Sequence, residues 1–355
     1  MENNFLNYKP LKSIKFNQFN LKIKIYKIGL LSVFIIIIIL LIIIKILYSN
    51  LKRTLFILKL FKEFKNEDDV KLYMKNKTEY YFKYRMKFLK INNIKYNETN
   101  LVTFQDKLNY LVIHENPELK TEYVDKIKIH EATKKIIGKD ICVPILKIYN
   151  DANEINLDEL PNKFLLKLNH GSGMNIICKN KSNFNLNDAK MKLNNWKQKN
   201  YGLDGTEFQY MFVDRKIFAA PYLGDNIVDY EIFCFNGIPK LIRVQKTIFE
   251  HNNTIIHNYY DLNWTLTEID TGLRIYHRIP EFNITKPKKL DLMIDYSKKL
   301  SKKFCFVRID FYYVNDSIYL SEMTFTPSNT RMKYKNFNQS KYMGSLLDIN
   351  KIQMN

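Results

Sequence analysis

The chain has 355 residues and a formal net charge of +20, from 56 Lys and Arg against 36 Asp and Glu. Its 46% hydrophobic and 14% aromatic content can build a sizeable core, which excludes a disordered or collagen-like chain. Four scattered cysteines, Cys142, Cys178, Cys234 and Cys305, form no Cys-x-x-Cys pair, which excludes a zinc ribbon and a disulfide-dense scaffold. The charge is uneven: residues 1–65 hold twelve Lys and Arg against only Glu2 and Glu63. That basic block flanks an apolar run, and no DNA- or RNA-binding motif is visible, so no nucleic-acid partner is expected.

Residues 1–27 read as a basic N-terminal tail. Ile28–Ile44 (IGLLSVFIIIIILLIII) is seventeen residues without a charge. As a helix it covers about 26 Å, close to the ~30 Å hydrocarbon core of a bilayer. Lys27 and Lys45 can snorkel, and Tyr26 and Tyr48 stand at interfacial positions. One transmembrane helix is therefore expected over 28–48, with membrane lipid as a partner. Six basic residues on each flank leave its orientation open.

Residues 49–100 read as a basic helical connector, with helical spacing over Leu51–Lys65 and Leu72–Ile91. Asp106–Glu131 continues helical, broken at Pro117. From Ile141 the pattern changes to short apolar runs bounded by Asn, Asp, Gly and Pro. Strands are expected at Ile141–Ile148, Lys163–Leu168, Asn175–Lys179, Tyr230–Cys234, Lys240–Val244, Phe304–Tyr313 and Ile318–Phe325. Helices are expected at Leu186–Lys199, capped by Asn185 or Asn187, and at Leu290–Lys302 after Lys286-Pro287. The mixture predicts an α+β domain over about 101–350.

Two segments could carry chemistry. In Lys163-Phe-Leu-Leu-Lys-Leu-Asn-His-Gly-Ser-Gly173 a strand lysine, Lys167, runs into a small flexible loop. Glycines let backbone N–H groups approach a phosphate, and the lysine adds a point charge. Taken alone, the same segment reads more readily as a plain glycine-rich turn between strands. The second is Phe304–Phe325, two apolar strands around Asn315-Asp316-Ser317, read as a hairpin. Arg308 and Asp310 share one face, as do Glu322 and Thr324. A two-residue loop would pair Asp310 with Ser321 and turn Glu322 away, whereas a three-residue loop pairs Asp310 with Glu322 and Arg308 with Thr324. The three-residue register is the one expected. The opposed carboxylates then repel, and a divalent cation such as Mg²⁺, which favours hard oxygen ligands, would relieve them. A solvated hairpin face is the other reading.

Taken in order, Leu160-Pro-Asn-Lys-Phe-Leu-Leu-Lys-Leu-Asn-His-Gly-Ser-Gly, Phe233-Cys-Phe-Asn-Gly, Tyr259-Tyr-Asp-Leu-Asn-Trp264, Phe306-Val-Arg-Ile-Asp-Phe-Tyr and Glu322-Met-Thr-Phe-Thr-Pro327 resemble the TupA-like ATP-grasp proteins, a family associated with teichuronopeptide and surface-polysaccharide biosynthesis. The resemblance covers residues 101–350. It implies an ATP-grasp fold, two α+β subdomains clasping ATP and Mg²⁺, and a ligase that activates a carboxylate as an acyl phosphate for attack by an amine or another nucleophile. It also implies a glycan or glycopeptide precursor as partner. By motif position Lys167 would meet the ATP phosphates, Gly171, Ser172 and Gly173 would cover them, and Arg308 would stabilise the transferring phosphoryl group. Asp310, Glu322 and Thr324 would hold the metal. Ala220, Tyr222 and Leu223 would lie at the adenine hinge. Three departures stand out: Ala220-Pro221 where the family carries Glu-Glu, Glu231 where it carries Lys, and Pro327-Ser328-Asn329-Thr330 where it carries Pro-Gly-Ser-Gly. The different-class alternative is a non-catalytic ATP-grasp-like subunit of a membrane polysaccharide-assembly complex. Because ATP and Mg²⁺ are cytoplasmic, the soluble domain is expected on the cytoplasmic side of a single-pass protein.

Overall fold

A computed structural model describes residues 36–44, 47, 48, 51, 69, 78–225, 227–248, 254–271, 276–278 and 284–351. The chain divides into two compact units, Met1–Lys62 and Glu63–Asn355. In the first, residues 36–44 are helical with every side chain exposed. No helix among the described residues is long and apolar enough to cross a membrane. The remainder of the expected span, 28–35 with 45 and 46, lies outside the described residues, as do the basic tail and nearly all of Leu51–Lys65.

The second unit opens with helices α1 (Thr78–Ile91), α2 (Phe104–His114), α3 (Glu118–Val124) and α4 (Ile129–Ile137). A capping box starts α2: Thr103 accepts from the Asp106 amide, and Asp106 accepts from the Thr103 amide. The expected helix at Asp106–Glu131 is thus three helices, with the Asn116-Pro117 step ending the first because the residue before proline avoids the α region.

A four-stranded antiparallel sheet, order β1-β4-β2-β3, follows, built from β1 (Lys147–Tyr149), β2 (Phe164–Leu168), β3 (Asn175–Cys178) and β4 (Ile217–Pro221). Helices α5 (Leu186–Gln198) and α6 (Tyr201–Gly205) lie between β3 and β4. Asn185 caps α5 through the Asp188 amide, 3.0 Å away. The expected strand Ile141–Ile148 is split, because Pro144 has no N–H to donate. Its first part brackets Leu320 through Ile141 O and Val143 N, and only Lys147–Tyr149 pairs with β4.

The six-stranded sheet has the order β10-β9-β5-β6-β7-β8. Its strands are β5 (Asp229–Phe235), β6 (Ile238–Ile248), β7 (Thr254–Tyr260), β8 (Tyr276–Arg278), β9 (Phe306–Val314) and β10 (Ser317–Thr324). Helix α7 (Leu290–Ser301) precedes β9, and α8 (Phe337–Ser345) ends the domain. Alternation along the strands sorts two cores. Ile232, Cys234, Ile242, Val244, Ile309 and Phe311 pack with α4 and α7 on one face. Phe233, Phe235, Leu241 and Phe306 pack with α2 and α8 on the other. The four-stranded sheet buries Phe164, Leu166, Leu168, Ile217 and Ala219 against α5. Its other face carries Leu165, Lys167, Phe218 and Ala220, of which Phe218 and Ala220 are buried.

The β9–β10 hairpin departs from expectation in an instructive way. Its turn is the two-residue Asn315-Asp316, both left-handed at φ 49° and 58°, the geometry that suits the right-handed strand twist. Yet Asp310 pairs with Glu322 and Arg308 with Thr324, because a bulge between Leu320 and Glu322 inserts Ser321 and restores the register.

Candidate functional site

The charged residues occupy the same sheet face as Phe233, Phe235 and Phe306, beyond the end of that apolar core. Directly paired residues Arg243, Glu231, Asp310 and Glu322 form one row across β6, β5, β9 and β10. Asp229, Gln245 and Tyr312 form the next row. These strands make one wall of a cleft of about 190 Å³. The opposite wall is Lys167 with the loop Gly171, Ser172, Gly173 and Met174, and Asn175 beside it on β3. The structure therefore brings together Lys167, Gly171, Ser172, Gly173, Arg308, Asp310 and Glu322. Thr324 joins them by hydrogen bonds, 3.1 Å to Glu322 Oε1 and 3.3 Å to Asp310 Oδ2. Ala220, Tyr222 and Leu223 do not line this cleft, although Ala220 shares the face of Lys167 through the pairings Lys167–Phe218 and Leu165–Ala220.

Arg308 stands at the centre. Its Nε donates to Asp310 Oδ1 at 2.7 Å and its Nη2 to Asp310 Oδ2. The same Nη2 is 3.2 Å from Thr324 Oγ1, 3.4 Å from Glu231 Oε1 and 3.7 Å from Glu322 Oε1. A guanidinium thus already compensates the opposed carboxylates. The donor set of two carboxylates and a hydroxyl is nonetheless chemically suited to Mg²⁺, which takes hard oxygens and shares them with phosphate.

Two further residues define the charge. Lys126, in the turn before α4, donates to Gly171 O at 2.7 Å and lies 3.6 Å from Glu322 Oε2. It joins the loop to the carboxylates, and sequence reasoning missed it. The one available signal is Asp125, which accepts from the Ile127 and Lys128 amides and so starts the turn that aims Lys126. Glu231, the departure from the family pattern, is buried in a two-pronged pair with Arg243 on the neighbouring strand.

Burial dominates the titrations. It pushes the Lys167 ammonium down to about 8, with Lys126 adding to the effect. It raises Asp229 to about 7, helped by Glu231. Burial also lifts the Asp310 carboxyl well above its ordinary value, against the pull of Arg308. Glu322 moves the other way: burial opposes, but Lys126, Arg308 and Lys167 together hold it ionised. Burial lowers His170 to about 4, and its Nε2 meets Lys199 O at 3.2 Å, so it is a neutral structural residue of the loop.

A model of the TupA-like ATPgrasp family matches residues 106–348. No curated protein sequence matches the chain. Among solved structures it is similar to D-alanine–D-alanine ligase from Bacillus anthracis, with 15% identity over 62% of this chain and 64% of that one and a TM-score of 0.34. The same enzyme complexed with ATP gives 15% identity over 76% and 81% with a TM-score of 0.41. N5-carboxyaminoimidazole ribonucleotide synthetase from Thermotoga maritima gives 12% identity over 59% and 44% with a TM-score of 0.32. The chain thus spans less than two thirds of the length of the first and last of these.

Proposed function

Because the chain belongs to the TupA-like ATP-grasp family, we propose that it is a Mg·ATP-dependent ligase. A carboxylate oxygen attacks the γ-phosphorus of ATP, ADP leaves, and an amine or other nucleophile displaces phosphate from the acyl carbon. The observation that carries this reading is the convergence of Lys167, the loop 171–173, Arg308, Asp310 and Glu322 on one cleft. Lys167, Lys126 and the loop amides hold phosphates, and Arg308 meets the charge that develops on the transferring group. Asp310, Glu322 and Thr324 hold the cation, which when bound neutralises phosphate charge.

The cleft is smaller than the ~300–1,000 Å³ usual for a whole ligand, so it suits the phosphate end. The base fits the adjoining row Ile177, Leu165 and Ala220, paired across β3, β2 and β4 on the face of Lys167. Ile177 is 45% exposed there, an apolar side chain awaiting cover. Tyr222 and Leu223 continue this edge. The acceptor would be a glycan or glycopeptide precursor of a surface polysaccharide. Residues 28–48 anchor the chain, with the ligase domain on the cytoplasmic face where ATP and Mg²⁺ are available.

Titration of the detergent-solubilised full chain with Mg·ATP tests this. Saturable binding in the micromolar to millimolar range is expected. No binding at millimolar nucleotide removes the ligase reading and leaves a non-catalytic subunit of a membrane assembly complex.

A further inference from the structure

Arg85 lies on α1, ahead of the segment that the family model matches, and is fully buried. A buried guanidinium needs acceptors for its donors. Nε donates to Asn109 Oδ1 at 2.9 Å. Nη1 donates to Thr206 Oγ1 at 2.8 Å, Asn329 Oδ1 at 2.9 Å and Gly205 O at 3.3 Å. Nη2 donates to Thr330 Oγ1 and, at 3.4 Å, to Asn329 O. All the acceptors come from three distant places: α2, the segment 205–206, and the segment 329–330.

Neither of the last two lines the cleft, but each adjoins an element that does. Segment 201–206 carries Tyr201, whose ring backs Gly171 so closely that a Cβ there would lie 2.8 Å from it. Segment 326–330 continues from the strand bearing Glu322 and Thr324. It holds three successive non-glycine residues in the left-handed region, Ser328, Asn329 and Thr330 at φ 52°, 52° and 57°. Such backbone is strained and persists only where surroundings enforce it. Asn329 Nδ2 also reaches Gly205 O at 2.8 Å, so the two segments meet at Arg85.

We propose that Arg85 is a positioning residue, a buried clamp that ties the support of the glycine loop to the segment leaving the metal-candidate strand. It thereby fixes the width of the cleft from a helix outside the family's matched segment. The consequence for nucleotide rests on the ligase reading; the clamp itself does not.

The test is amide hydrogen exchange on full-length Arg85→Met under conditions where the parent is stably folded, paired with Mg·ATP titration. Exchange at the Thr206, Asn329 and Arg331 amides, bonded to Leu203 O, Thr326 O and Ser328 O, should rise about tenfold or more, while β2–β4 amides stay unchanged. Nucleotide affinity should fall with it. A uniform rise across both sheets means lost global stability only and overturns the clamp. Local loosening with unchanged affinity overturns the positioning role. If Arg85→Met does not fold, Asn329→Ala removes one acceptor and must give the same local pattern; without it the proposal fails. If the parent itself binds no nucleotide, the ligase reading falls, and the exchange pattern alone decides the clamp.

Discussion

Lys167 offers the sharpest test, because its charge should be lost within an accessible pH range. Its ammonium titrates at about 8 in the folded protein against an ordinary 10.5, chiefly through burial. Nucleotide phosphates favour the charged form, so binding draws a proton onto the lysine above that pH. If the neutral amine contributes nothing, apparent Kd grows as one plus the deprotonated-to-protonated ratio, which weakens binding up to about tenfold between pH 7 and pH 9. Phosphate groups titrate near pH 6 and are about nine-tenths ionised by pH 7, so they contribute little across that window. Asp229, at about 7, adds a negative charge earlier, and Asp229→Asn separates its contribution. Lys167→Arg, which stays charged throughout, should flatten the profile above pH 8. Calorimetric titration at half-unit steps reads this directly. A Lys167→Arg profile that still falls tenfold from pH 7 to 9 refutes the assignment of Lys167 to phosphate. The same shift has a stability signature. The unfolded lysine holds its proton more tightly, so the free protein gains stability as pH rises from about 8 towards 10.5.

Asp310→Asn removes one arm of the fork on Arg308, leaving Glu231 and Glu322 as partial partners. A loss of about 1–3 kcal/mol in a urea melt of the metal-free protein is expected, together with loss of Mn²⁺ binding; a gain in stability would mean that repulsion among the carboxylates outweighs the fork. Gly171→Ala places a Cβ 2.3 Å from Met174 Cε and 2.8 Å from the Tyr201 ring, so it should cost about 1–3 kcal/mol and weaken nucleotide binding. Gly173→Ala has open space but a φ of +73°, so its cost of about 1–2 kcal/mol comes from backbone alone; equal crowding effects in both variants would contradict the loop geometry. Ser328→Gly touches no partner of Arg85 and relieves left-handed strain, so a gain of about 0.5–1 kcal/mol on denaturation is expected.

The strands that frame the cleft were legible because their apolar runs are bounded by turn residues. Strand alternation makes Arg308 with Asp310, and Glu322 with Thr324, legible as face-sharing pairs, whereas Lys167 is legible from the glycine loop after it and is joined to them by the family resemblance. The hairpin shows where such reading stops. Loop length was inferred from the need to pair Asp310 with Glu322, but the chain meets that need with a bulge. The trace is present in the sequence: Leu320, Met323 and Phe325 face one core with a spacing of three and then two, which an unbroken strand cannot give. Strand β4 has too short and bland a sequence, Ile-Phe-Ala-Ala-Pro, to declare itself. Lys126 is one lysine in a lysine-rich chain, and only Asp125 beside it, which starts the turn, marks it as different. Arg85 was illegible for a deeper reason: its acceptors lie as far as 245 residues away along the chain, and no local pattern encodes a contact of that separation.

The exchange at Glu231 takes on a different meaning in three dimensions. Read along the strand, it puts an anion where the family pattern carries a cation. Read across the sheet, Arg243 on the next strand holds Glu231 in a two-pronged pair, so the anion is already matched by a cation. Around the cleft, Lys126, Lys167, Arg308 and the adjoining Arg243 face Asp229, Glu231, Asp310 and Glu322, and burial raises Asp229 and Asp310 toward their neutral forms. A triphosphate entering a partly desolvated site brings several negative charges, whose repulsion grows as water is excluded. Two sources of positive charge are within reach: a divalent cation on Asp310 and Glu322, and a proton on Asp229, which titrates at about 7. Arg308 cannot serve both the carboxylates and a phosphate at full strength, because its fork is already spent on Asp310. A cation held by Asp310 and Glu322 would free that guanidinium for phosphate. On the ligase reading, cation and nucleotide would be coupled through Arg308, each making the other's binding more favourable.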